Sequence, residues 1–184
     1  MRITGGTLRG RDVAVEGGPG VRPTSSRVRE ALFSMVGQDL DGRSALDAFG
    51  GSGLLAFEAA SRGASPITIG ERDRRVAGAI RRAAERLSVQ VELHSGDVSR
   101  LMGTGRTWDL VMLDPPYRDA PEPWLRRAAP CCDWLLAIEY RAGVSLPTEV
   151  DGLEQVRARR YGDTALALYR ARPAAGLDED EVVP

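Results

Sequence analysis

From Ser44 to Leu113, short apolar runs alternate with stretches of helical periodicity, and this alternation limits the fold of the 184-residue chain more than any other feature. The spacing predicts strand Ser44 to Phe49, helix Leu54 to Arg62 stopped by Gly63, strand Pro66 to Gly70, helix Asp73 to Leu87, strand Val89 to His94 and strand Trp108 to Leu113. Strands that alternate with helices pair in parallel, because a parallel pair needs a long crossover and the crossover helix must bury its apolar stripe on the sheet. A further strand, Trp134 to Tyr140, precedes two runs, Val156 to Tyr161 and Ala165 to Arg170, that turn at Gly162-Asp163. The expected fold is thus α/β and Rossmann-like, a mostly parallel seven-stranded sheet that ends in an antiparallel hairpin.

A different kind of segment lies ahead of this unit. Arg2 to Thr4 and Arg11 to Val15 are short β-like runs separated by Gly5, Gly6 and Gly10, which predicts a small hairpin. From Arg27 to Val36 the apolar residues Val28, Ala31, Leu32, Met35 and Val36 recur at helical spacing, with Thr24 or Ser25 as N-cap and Gly37 as the stop. Residues 1–42 are expected to form an N-terminal extension on a domain of residues 43–173. The tail, residues 174–184, has few large apolar residues and an acidic run from Asp178 to Glu181, and is expected to be disordered.

The strand at Trp108 stops in Asp114-Pro115-Pro116-Tyr117. Each proline fixes its own φ and lacks an N–H, and Pro116 biases Pro115 towards an extended backbone, so a rigid loop must leave the strand there. Ligands of open parallel sheets bind at the carboxyl ends of strands, where this loop presents a carboxylate and an aromatic ring. A second loop, Asp47-Ala48-Phe49-Gly50-Gly51-Ser52-Gly53, joins the first strand of the sheet to its helix. Its glycines permit close approach of a ligand to the backbone and to the helix N-terminus. Gly51 to Ala56 also satisfies G-x-G-x-x-G/A, and Glu71 at the next strand end stands where an acid holds ribose hydroxyls. Asp97, after the third strand, is placed to accept from an adenine amino group or to cap the next helix. At this point nicotinamide and adenosylmethionine cofactors fit equally well.

Charge and cysteine content narrow the setting. The formal net charge is −1, so bulk charge does not compel nucleic-acid binding, but residues 1–30 carry Arg2, Arg9, Arg11, Arg22, Arg27 and Arg29 against three acids. A polyanion would bind at that end. No run approaches a membrane helix and the start lacks an apolar leader, which points to the cytoplasm. Cys131 and Cys132 are adjacent, a poor arrangement for a disulfide or a metal, and are expected to be reduced packing residues; no metal site is expected. His94 and the tryptophans 108, 124 and 134 read as structural.

The order Asp-x-Phe-x-Gly-x-Gly, Glu71, Gly-Asp97, Asp-Pro-Pro-Tyr resembles the class I methyltransferases that methylate exocyclic amines with S-adenosylmethionine. With Arg2-Ile3-Thr4-Gly5-Gly6, Arg22-Pro23-Thr24, Arg27 to Phe33, Glu58 to Ala64 and Tyr161-Gly162-Asp163-Thr164 included, the chain resembles, from Arg2 to about Arg170, the bacterial family that modifies guanine N2 in small-subunit (16S) ribosomal RNA. The resemblance implies that Asp47, Phe49, Gly51, Ser52 and Gly53 contact the methionine part of the cofactor, Glu71 its ribose, and Asp97 and Val98 its adenine. It implies that Asp114, Pro115, Pro116 and Tyr117 act on the guanine. The arginines at 2, 9, 11, 22, 27 and 29 then grip phosphates, and the partner is 16S RNA in an assembling small subunit, met by a monomer. Gly50 departs from the family, which more usually has alanine, and is expected to loosen the loop. The Asp114 to Tyr117 loop serves adenine-N6 transfer to RNA or DNA equally well. A cytosine-C5 enzyme using Cys131, a nicotinamide oxidoreductase and a non-catalytic RNA-binding assembly factor are the other readings.

Overall fold

The computed structural model describes residues 1–13 and 25–172. Its centre is one eight-stranded sheet in the order β3-β2-β1-β4-β5-β8-β7-β6. Strands β1 (Ala45–Asp47), β2 (Ile67–Glu71), β3 (Glu92–Ser95), β4 (Trp108–Leu113) and β5 (Cys132–Arg141) pair in parallel. Strands β6 (Glu149–Val150), β7 (Leu153–Tyr161) and β8 (Thr164–Ala171) close the sheet antiparallel. The two-residue β6 is the strand beyond the seven that periodicity predicts; a pair of residues carries no readable alternation.

Two apolar layers cover the sheet. On one face Ala45, Ile67, Ile69, Leu110, Met112, Leu135, Ala137, Leu166 and Leu168 pack under α1 (Ser26–Val36), α2 (Leu54–Ser61) and α3 (Arg74–Leu87). On the other, Leu46, Val111, Leu113, Leu136, Ile138 and Tyr169 pack under α4 (Val98–Met102) and α5 (Pro121–Ala128). Neither α4 nor α5 has a clear helical period in the sequence; α5 starts on Pro121, the first helical position that tolerates proline, and Asp97 caps α4 by accepting from Ser99 N–H at 2.9 Å. Cys131 and Cys132 are free and buried, and Trp108, fully buried, donates to Thr68.

The N-terminal runs make a minimal hairpin through a bridge between Arg2 and Asp12. Ser25, rather than Thr24, caps α1 by accepting from Val28 N–H; Thr24 and Arg22 lie outside the described residues, as do most of the 11–15 run's end and the whole acidic tail. Ile3, Val13, Val28, Leu32, Phe33 and Leu40 join the same core as the sheet. Gly6 sits at φ +74 against the end of α2, where a Cβ would fall 1.8 Å from the carbonyl oxygen of Ser61. Only glycine fits there.

Glu58, on α2 and fully buried, ties these parts together. Its carboxylate accepts from Thr4 N–H at 2.8 Å and from Thr4 Oγ1, pairs with Arg29 Nε at 2.7 Å, and pairs with Arg62. Arg29 also donates to the Arg2 carbonyl at 2.9 Å. Arg29 is only 3% exposed, so it belongs to this buried cluster and is not a phosphate-gripping surface arginine: its position on the apolar side of α1, beside Val28 and Leu32, turns it inward. The Arg62 guanidinium stacks on the Phe33 ring, 4.3 Å from its centroid. Arg29, near the start of α1, meets Glu58 in the middle of α2, and Leu40, beyond the end of α1, donates its N–H to the Arg62 carbonyl at the end of α2 at 2.9 Å. The helices therefore run in the same direction.

Replacing Glu58 by glutamine takes the carboxylate charge away from between two buried guanidiniums, a loss of about 3–5 kcal/mol. Urea denaturation of Glu58→Gln is expected to show this cost, with the midpoint moved far below that of the wild type; a shift of under 1 kcal/mol would mean that solvent reaches the cluster.

Candidate active site

The strand order reverses between β1 and β4, and at such a switch point the loops after the two strands part and leave a crevice. The glycine loop after β1 and the Asp114 loop after β4 both open there. Asp47 pairs with Met112 across the two strands, so the β1 carboxylate lies one pleat short of Asp114 on the same sheet face.

Asp47 is 1% exposed. Its oxygens accept from Phe49 N–H and from Ala56 N–H, each at 3.3 Å, so it braces the loop and caps one of the open N–H groups of α2. Burial, with smaller contributions from the charges of Asp114 and Glu71, raises its pKa to about 7. Glu71 at the end of β2 reaches the same loop, its Oε2 accepting from Gly51 N–H at 2.9 Å and its Oε1 from Asp73 N–H. Gly53 supplies the left-handed turn into α2 at φ +72. Gly50 does not loosen the loop: its N–H donates to the Gly70 carbonyl at 2.7 Å, and a Cβ would lie 2.7 Å from Ile69. Phe49 turns its ring onto Trp124 of α5, edge to face at 4.9 Å.

Three carboxylates, Asp47, Glu71 and Asp114, thus gather about a glycine loop and the start of α2, one of whose N–H groups Asp47 already takes. The donor set suits a cofactor with a cationic amino acid end and a nucleoside: acids for the positive charges and hydroxyls, backbone N–H for a carboxylate. Asp97 is exposed, with its side chain capping α4 and its pKa lowered by the backbone hydrogen bond from Ser99. Val98 is buried against Gly70, where its side chain forms part of the floor.

In the second loop Pro115 is buried, Pro116 exposed and Tyr117 38% exposed. The Tyr117 hydroxyl donates to Glu139 Oε1 on β5 at 3.0 Å and shares a hydrogen bond with Thr164 at the start of β8. The sequence held no sign of this latch, since Glu139 reads as one more strand residue. Thr164 belongs to the Tyr161 to Thr164 turn, but its contact depends on β8 returning beside β5. Cys131 and Cys132 lie away from this loop, with burial pushing both thiols up, Cys132 to about 12; neither is poised as a nucleophile.

Of the surface arginines read as phosphate contacts, Arg2, Arg9, Arg11 and Arg27 are exposed. The Arg2 side chain makes a solvent-facing pair with Asp12 at 3.5 Å, and Arg11 reaches the Arg86 carbonyl at 3.4 Å. Among the described residues no cluster of metal-ligating side chains occurs, and no helix is long and apolar enough to cross a membrane.

Residues 1–170 match the family model described as conserved hypothetical protein 95. The ribosomal RNA small subunit methyltransferase D of Escherichia coli (strain K12) is 32% identical over 98% of this chain and 94% of its own. The chain belongs to this family. A Bacillus subtilis relative, YlbH, named as a candidate rRNA methyltransferase, is 29% identical over 94% of this chain and all of its own. Among solved structures, a candidate methyltransferase of Escherichia coli, yhhF, superposes with a TM-score of 0.80 at 28% identity, covering 95% of this chain and 99% of that one.

Asp47 makes the site sensitive to pH. Its folded pKa of about 7 lies above the ordinary 3.8, so folding takes up a proton between these values and stability falls as pH rises through that window. The group alone accounts for a loss on the order of 4 kcal/mol above pH 7. Denaturation midpoints of Asp47→Asn are expected to decline less between pH 4 and pH 8 than those of the wild type, and parallel pH profiles would show that Asp47 is ionised throughout.

Proposed function

We propose that this enzyme transfers a methyl group from S-adenosylmethionine to the exocyclic N2 amine of a guanine in small-subunit (16S) ribosomal RNA. The observation that carries the reading is the pairing, across the switch point, of the acid-lined glycine loop with the Asp114 to Tyr117 loop. The full-length likeness to small subunit methyltransferases D supports the RNA and its subunit. The cofactor supplies, when bound, a methyl group on a positively charged sulfur; Asp47 and Gly51 to Gly53 would hold its amino acid end, Glu71 its ribose, and Asp97 and Val98 its adenine side.

A base amine is a weak nucleophile because its lone pair is delocalised into the ring. The Asp114 carboxylate and the Pro115 carbonyl offer two acceptors for its two hydrogens, which frees the lone pair to point out of the base plane. Pro115 and Pro116 hold those acceptors still, and the ring of Tyr117, its hydroxyl fixed by Glu139 and Thr164, offers a flat surface for a base removed from its stack. Asp114 then takes the proton that the methylated amine sheds. Arg2, Arg9, Arg11, Arg22 and Arg27 supply phosphate contacts, the protein works as a cytoplasmic monomer, and its substrate is a partly assembled subunit.

Incubation of unmodified 16S RNA, alone and with ribosomal proteins, is expected to yield N2-methylguanine by mass spectrometry. N6-methyladenine as the product would move the chemistry to the other base. Asp114→Ala is expected to lower the transfer rate roughly 100-fold or more while calorimetry still detects cofactor binding. Tyr117→Ala removes the stacking surface, worth about 1–3 kcal/mol per base, and should raise the KM for RNA well above that of Tyr117→Phe. Equal effects of the two would assign the role of Tyr117 to its hydroxyl alone.

A further inference from the structure

The β7 strand changes register part-way along. Gln155 opposes Tyr169 on β8, but Arg157 opposes Leu168, which leaves Val156 as an extra residue, 45% exposed. Directly opposed residues share a sheet face, so Gln155 lies on the face of Tyr169, under α4 and α5, whereas Arg157 and Arg159, opposite Leu168 and Leu166, lie on the face of α1. Without the bulge, strict alternation would put both arginines on the α5 face. Bulges re-aim side chains in this way and concentrate beside functional sites.

The redirected arginines fall into rows that lead to the target-base loop. Arg159, Leu166 and Glu139 oppose one another across β7, β8 and β5, and Glu139 holds the Tyr117 hydroxyl. Two strand spacings separate Arg159 from Glu139, about 10 Å. Arg157 stands one pleat further back in the row of Leu168 and Ala137. On the same face α1 packs over β8 and β5; its end leads through Leu40, bonded to the Arg62 carbonyl at the end of α2, into the start of β1, so its beginning, with exposed Arg27, points towards the carboxyl edge. Arg27, Arg157 and Arg159 are all exposed, and none forms an ion pair among the described residues. Strand β6 covers β7 only at Leu153 and Glu154, so the arginines sit on an open sheet edge.

We infer that Arg157 and Arg159, turned onto the α1 face by the bulge at Val156, form with Arg27 a phosphate-binding strip that seats the RNA backbone beside the nucleotide held at Tyr117. This rests on the RNA methyltransferase reading and adds a contact surface on the C-terminal hairpin, at the opposite end of the chain from the basic N-terminal segment. The competing role for charges on an open edge is to prevent pairing with another sheet.

The test uses the full chain and 16S RNA, and compares Arg157→Gln/Arg159→Gln with Arg157→Lys/Arg159→Lys and with Arg81→Gln/Arg82→Gln, a charge-matched change on the far helix α3. Filter binding over a salt series is expected to show the glutamine pair binding about tenfold or more weakly, with the slope of log affinity against log salt reduced by between one and two contacts' worth. Its methyl-transfer defect should sit in the KM for RNA, with the calorimetric affinity for S-adenosylhomocysteine unmoved; the lysine pair should recover most of the binding. Wild-type transfer to the RNA tests the underlying reading separately. Given that activity, three results would each overturn the strip: glutamine-pair affinity and salt slope equal to wild type, an equal loss from the α3 variant, or aggregation of the glutamine pair with the soluble fraction binding RNA normally.

Discussion

Among the described residues ahead of Gly42, Thr4 and Arg29 are tied to α2, the helix that covers the sheet, through one buried carboxylate. Glu58 satisfies a backbone N–H and a hydroxyl of Thr4 and lies between Arg29 and Arg62, two buried guanidiniums whose charge it offsets. Because Glu58 sits within α2, the helix that begins at the glycine loop, the N-terminal hairpin and α1 take their position from the same rod that positions the cofactor loop. Gly6 against Ser61 and Arg62 on Phe33 add shape to this charge pairing, so the extension has little freedom to slide.

The active-site edge is organised on a different balance. Asp47 is buried where a carboxylate is costly, yet two backbone N–H groups and the start of α2 are aimed at it. Its neighbours Asp114 and Glu71 raise the cost further. Like charges gathered in this way oppose folding and favour a cation, so part of the affinity for a positively charged cofactor is the relief of that repulsion. The same electrostatics limit how the acids can be exchanged: Asp47 and Glu71 also serve as hydrogen-bond acceptors for the glycine loop.

The sequence was legible where one residue type has one physical use. Alternating strands and helices specify the parallel order, the Pro115-Pro116 pair ends β4 at Leu113 as read, and the glycines of the first loop mark its turn. It was illegible where meaning depends on a distant partner. Arg27 and Arg29 look alike in the chain, but two residues of helix rotation send one to solvent and the other to Glu58. Glu139 looks like any strand acid until β8, returning antiparallel, sets Thr164 beside it. Helix α5 has no readable period because it opens with two prolines in three residues, and α4, only five residues long, is legible just as the helix that Asp97 could cap.

The antiparallel end of the sheet also has a mechanical consequence. A loop as stiff as Asp114-Pro115-Pro116 fixes its own backbone, but a ring one residue further on is free to rotate about its own side-chain bonds. Binding the Tyr117 hydroxyl at two points removes most of that freedom, and those points lie on β5 and β8. A plain five-stranded nucleotide fold has no β8 and would leave the ring half held. The C-terminal hairpin therefore bears on the Tyr117 loop: its bulge at Val156 turns Arg157 and Arg159 onto the α1 face, and its turn at Gly162 brings Thr164 to the ring.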